Sequence, residues 1–140
     1  MASLSRDWKE KRLTLSTKMR LYQVLVVSVL LYTAETWTLI AADTRALEAF
    51  HMRCQHQILG VRWYDRIRNN EVASHTGLSP ITDYIANRRC ALFGHIARLS
   101  EAVSANRTLL RHVDASLGRP PLPTWKRRPS RPRNSWLEQV

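Results

Sequence analysis

Between Leu21 and Ala42 the chain carries one charged side chain, Glu35, at the end of an apolar run centred on Val24 to Tyr32. The stretch has no Gly or Pro and is long for a strand, so it reads as a helix, although Val24, Val26, Val27 and Val29 give a competing β signal. About twenty apolar residues cross a bilayer. Gln23, Ser28, Thr33, Thr36, Thr38 and Glu35 interrupt this one, which favours a buried core helix over a membrane span. A carboxylate buried without a partner is costly. Glu35 therefore faces solvent or meets a cation, for which Lys18, Arg20 and the basic residues of the next helix are the candidates.

Spacing extends the helical pattern in both directions. Thr17 is the expected N-cap, with Leu21, Leu25, Ser28, Val29 and Tyr32 on the expected core face. Asp43 is the expected cap of a second helix with a stripe of Leu47, Phe50, Cys54 and Ile58, stopped at Gly60. After the connector Trp63 to Arg68, Asn69 would cap a short helix ending near Gly77. Ser79-Pro80 then opens a helix with the stripe Ile81, Tyr84, Ile85, Leu92 and Ile96, in which Gly94 is a weak point. Ser100 restarts a last helix through Leu109 and Leu110. The expected fold class is mainly α: a small helical bundle followed by an extended basic Pro/Arg-rich C-terminal tail.

Charge narrows the function. The 140 residues hold 22 Lys+Arg against 11 Asp+Glu, a net charge of +11, which points to a polyanionic partner. Arg62-Trp63-Tyr64-Asp65-Arg66-Ile67-Arg68-Asn69 interleaves cations that reach phosphates with rings that stack or plug a core. On the fourth helix Arg88, His95 and Arg98 share a face, with Arg89 displaced by one position. Five of the six prolines lie between Pro120 and Pro132, among Lys126, Arg127, Arg128, Arg131 and Arg133, the composition of a groove-entering arm or of a nuclear-localisation cluster. Trp125, Trp136 and Leu137 are candidates to dock on a core.

Two cysteines are too few for a disulfide framework and fit a reducing compartment. The first residues lack the apolar core of a secretory signal, so an intracellular, nuclear location is expected. Cys54-x-His56 and Cys90-x4-His95 invite a zinc reading. One intervening residue is tight for chelation and Cys54 falls on the apolar stripe, so no metal and no cofactor are expected. Nothing orients a third group around either thiol for nucleophilic catalysis.

The order of motifs is more specific than any one of them: Lys18 with Tyr22, Leu30 to Trp37, Leu47-Glu48-Ala49-Phe50-His51-Met52-Arg53-Cys54, and Ile58-Leu59-Gly60-Val61-Arg62-Trp63. Asp65-Arg66-Ile67-Arg68-Asn69, Phe93-Gly94-His95-Ile96-Ala97-Arg98 and Arg127 to Val140 follow. Over nearly the whole chain this series resembles the region after the polymerase core in reverse transcriptases of LINE-type (non-LTR) retrotransposons. The family usually has glycine where Thr33 stands, a basic residue near His56 and glycine at the place of Ser130. The resemblance implies a helical thumb and its C-terminal extension, which hold a template–primer duplex beside a palm. This chain has no Asp-Asp pair to hold the two metal ions of nucleotide addition, so a truncated, non-enzymatic piece is expected.

The combined expectation is a basic lead-in (1–16), a thumb-like helical domain (17–113) and a flexible basic tail (114–140). It would bind DNA or an RNA/DNA duplex nonspecifically through Lys18, Arg20, Arg62, Arg66, Arg68, Arg88, Arg98, Arg127, Arg128, Arg131 and Arg133. Glu35, Trp37, Trp63 and His95 would brace it, with no membrane partner. The alternative is a structural module whose helices pack against a missing palm or a partner protein.

Overall fold

A computed structural model describes Trp8, Glu10, residues 12–119 and residues 136–140. The protein is mainly α, as expected, with no strand among those residues. Among the described residues its longer helices are α1 (Leu15–Tyr22, prolonged by a π-helical turn Gln23–Val27 and by Ser28–Leu30), α2 (Ala41–Leu59), α3 (Asn69–Thr76), α4 (Ile81–Ala97) and α5 (Ser104–Ser116). The chain divides into two compact units, residues up to Thr33 with Ala41–Ile85, and Ala34–Ile40 with Ala86–Val140. Among the described residues no helix is long and apolar enough to cross a membrane.

In the first unit Thr14, not Thr17, caps α1. The Thr14 hydroxyl accepts the Thr17 backbone N–H at 3.3 Å, so the helix opens before the expected residue. The core face also differs from expectation. Met19, Tyr22, Val26, Val27 and Leu31 are buried, whereas Leu25, Val29 and Tyr32 of the expected face are exposed. The face is set at Met19 and Tyr22, one position from the expected Leu21, and the π turn then carries it past Val29 to Leu31, because the Ser28 N–H reaches back five residues to the Gln23 carbonyl. One extra residue in a turn rotates everything after it by about 100°. A run that is apolar on every side could not reveal which face that rotation buries.

Leu31 ends the helix and Thr33 turns the chain with φ +59°. A β-branched residue is rarely held in this left-handed region, which costs about 1–3 kcal/mol. Glycine adopts it without that cost, at an entropic penalty of about 0.5–1 kcal/mol. Thr33→Gly is therefore expected to stabilise the protein by about 1 kcal/mol. Thermal unfolding checks this, and a lower midpoint than that of the parent would refute the strain.

The interior of α2 is more polar than its apolar stripe suggested. His51, Cys54, Gln55 and Ile58 are buried, while Leu47 and Phe50 are only half-buried. Each buried polar group has a partner: the Thr76 hydroxyl donates to Gln55 Oε1 at 2.6 Å, and His51 bonds on both ring nitrogens. The helix begins at Ala41, before the expected Asp43 cap, and stops as expected at Gly60, whose φ of +74° lets Gly60 and Val61 close back on Gln57 and His56. Asn69 is the first residue of α3 rather than its cap, and Gly77 ends that helix at φ +65°. The first free N–H of α4, on Ile81, is satisfied by Glu48 Oε2 of α2 at 2.9 Å. Val72, Leu78, Ile81 and Ile85 complete this unit's core.

In the second unit α4 runs without interruption through Gly94, which was expected to weaken it. Buried Asn106 of α5 donates to the carbonyls of Ile96 and Ala97 at 3.0 and 3.4 Å, satisfying the C-terminal end of α4. The last helix begins at Ser104 rather than Ser100 and reaches Ser116, so regular structure enters the span expected as tail. At the other end of that span Leu137–Gln139 forms a 3-10 turn packed in this unit.

Candidate nucleic-acid interface

The connector between α2 and α3 is built to expose cations. The Arg62 N–H donates to Asp65 Oδ2 at 2.7 Å and the Asp65 N–H returns to the Arg62 carbonyl at 3.0 Å, which closes the 3-10 turn Trp63–Asp65. Asp65 is thus occupied in holding the turn. Arg66 follows in the left-handed conformation (φ +52°), and the Arg68 carbonyl receives the N–H groups of Glu71 and Val72 at the start of α3. Arg62, Arg66 and Arg68 are all exposed, as is Tyr64 at 52%. The Arg62 guanidinium donates to the Tyr64 hydroxyl at 2.6 Å and sits 5.8 Å from its ring centroid. The turn therefore presents three guanidinium groups and one aromatic face. The side chain of Trp63 lies outside what is described.

The other expected contacts are divided. Lys18 is half-buried and its Nζ donates to the Trp8 carbonyl at 2.6 Å, so that ammonium has an internal role. Arg20 is exposed on α1. On α4, Arg88, His95 and Arg98 are exposed, but Arg88 lies 3.8 Å from Glu35 Oε2. Arg88 is thus the ion partner of Glu35, in place of Lys18, Arg20 or a cation of α2. The contact is electrostatic, since that oxygen has no hydrogen-bond partner, and its partial exposure keeps its contribution small. Arg127, Arg128, Arg131 and Arg133 lie outside the described residues.

Glu35 and Trp37 belong to a segment held mainly through its backbone. The Trp136 indole N–H donates to the Glu35 carbonyl at 2.6 Å, and the Gln139 side chain bonds both the N–H and the carbonyl of Leu39, at 3.1 and 2.8 Å. Arg89, only 6% exposed, donates to the carbonyls of Trp37 at 2.8 Å and Gln139 at 3.4 Å. Burial pushes its guanidinium below the usual arginine range. The spacing set Arg89 one position off the basic face of α4 and gave it no role. Its position four residues after Ile85, on the apolar stripe, was the signal that it is buried.

A second polar cluster sits in the core of the first unit. His51 is fully buried; its Nε2 faces the Ser79 carbonyl at 3.1 Å and must donate, so Nδ1 accepts from the Tyr22 hydroxyl at 2.8 Å. Burial lowers the His51 pKa against the opposing influence of Ser79 and Glu48. Burial, with Cys54 close by, raises that of Tyr22, and burial also raises that of Cys54. The cluster is thus held neutral, with Tyr22 a fixed donor. Cys54 lies in this core, His56 is bonded to Asn69 Oδ1 at 3.2 Å, and among the described residues no three His, Cys, Asp or Glu side chains gather as a metal site would require.

Comparison with protein-family models, curated proteins and solved structures returns no match.

Proposed function

We propose that this chain is a non-catalytic nucleic-acid-binding module, of the kind that follows the polymerase core in LINE-type reverse transcriptases, and that it grips duplexes by their phosphates without reading sequence. The observation that carries the reading is the Arg62–Arg68 turn, whose one carboxylate is bonded to backbone while three arginines and Tyr64 face outward. Phosphates are met by such cations, and a ring beside them supplies stacking. The net charge of +11 and the arginines at 127, 128, 131 and 133 support the same partner and a nuclear location. Lys18 and Arg88 already have protein partners and contribute less.

Fluorescence-anisotropy titration of duplex DNA, RNA and RNA/DNA hybrid at several salt concentrations tests this. Arg66→Gln with Arg68→Gln is expected to weaken binding equally for all sequences and to flatten the slope of log affinity against log salt by about 2. An unchanged slope would remove the turn from the interface.

A specific observation favours the alternative, a module that packs on another protein. Val24, Leu25, Val29 and Tyr32 of α1 and the turn after it are 59%, 48%, 73% and 74% exposed. Apolar side chains grouped in this way mark interaction surfaces. Charged substitutions at Leu25 and Val29 that raise solubility and leave nucleic-acid binding intact would separate the two roles.

A further inference from the structure

A cleft of about 560 Å³ opens in the first unit between the start of α1 and the turn joining α3 to α4. Its apolar part is Leu15, Met19 and Leu78, the last two buried. Its polar part includes Arg20, Gln23 and His75, all exposed, and no carboxylate lines it among the described residues. The size falls in the range of small-molecule sites, about 300–1,000 Å³, and polar groups form the larger part of the lining, with Leu15, Met19 and Leu78 as a smaller apolar patch. Gln23 is also the first residue of the π-helical turn, and its amide donates to the Tyr84 hydroxyl at 3.3 Å. Such turns recur at functional sites. This one meets the cleft through Gln23.

An inorganic anion would need the guanidinium but not the apolar patch; an apolar molecule would need the reverse. A flat, weakly polar body carrying a phosphate uses both. We propose that the cleft seats one unpaired nucleotide at the end of a nucleic-acid strand, its base against exposed Leu15 and the edges of Met19 and Leu78, and its phosphate at Arg20 and His75. The choice of a nucleotide rests on the nucleic-acid reading above. Arg20 then acts at this site and not as one more cation spread along a duplex.

The test is an amide-resolved NMR titration of the full chain with AMP, adenosine and inorganic phosphate. In parallel, anisotropy compares a blunt duplex with one bearing a single-nucleotide overhang. AMP is expected to shift Arg20, Gln23, His75 and Leu78, with adenosine and phosphate each at least about tenfold weaker. Arg20→Gln, at an exposed position that leaves the core intact, is expected to weaken AMP about tenfold, the loss of a charged hydrogen bond to phosphate. It should lower affinity for the overhang duplex more than for the blunt one, so that the advantage of the overhang is lost. Adenosine binding as tightly as AMP, an Arg20→Gln variant that binds like the parent, or AMP binding with no overhang advantage would each overturn the proposal. Salt-dependent duplex binding without any AMP shift would end this inference alone. Absence of duplex binding would end the reading on which it rests.

Discussion

Arg89→Ala is expected to lower stability by about 2–3 kcal/mol, because two hydrogen bonds from a charged donor, each worth about 1.5–3 kcal/mol, are lost while burial of the guanidinium is relieved. The carbonyls of Trp37 and Gln139 lose that donor. Amide exchange at Leu39, whose N–H is held by Gln139, should accelerate with it. Arg89→Met keeps the packed stem without the charge and should fall between the two. Urea unfolding with exchange on the same variants checks this; an Arg89→Ala protein as stable as the parent would show that Arg89 does not hold the segment.

His51→Ala is expected to cost more, about 3–4 kcal/mol, since it opens a cavity where a fully buried ring stood and strands the Tyr22 hydroxyl and the Ser79 carbonyl. The same ring gives stability a pH dependence whose sign follows from its lowered pKa. The unfolded chain takes a proton at about pH 6.5, the ordinary imidazole value, whereas the folded protein resists protonation until a lower pH. The unfolded state therefore binds more protons in that window, and the stability contributed above it is lost as pH falls through it. Glu48 and Ser79 face the ring and limit the shift; Tyr22, raised by burial, stays protonated throughout. Unfolding titrations of the parent and of His51→Gln between pH 8 and pH 5 test this. Equal acid sensitivity in both would assign the effect elsewhere.

The helical class, the glycine stops at Gly60 and Gly77 and the exposure of Arg62, Arg66 and Arg68 were legible in the sequence because each depends on local chemistry. A glycine at positive φ or a turn between helices advertises itself within a few residues. What escaped depends on partners far along the chain. The π turn at Gln23–Val27 rotates the buried face of α1, and no periodicity reports one extra residue in a run of uniformly apolar side chains. Arg89 was set one position off the basic face of α4, and its burial was not foreseen because its acceptors, two backbone carbonyls at positions 37 and 139, carry no sequence signature. The same holds for Glu48, which lies off the apolar stripe of α2 and satisfies the first turn of α4. Glu35 was expected to face solvent or to meet a cation, and its partner came from α4 because fold, not sequence separation, sets proximity.

The central claim, that exposed arginines grip phosphates, is tested most directly by the salt dependence of the intact chain on mixed-sequence duplex DNA. With about six phosphates neutralised, log affinity should fall against log salt with a slope of roughly −5, alike for unrelated sequences. A slope near zero, or no binding even at low salt, would contradict the account and leave the apolar face of α1 as the surface to pursue.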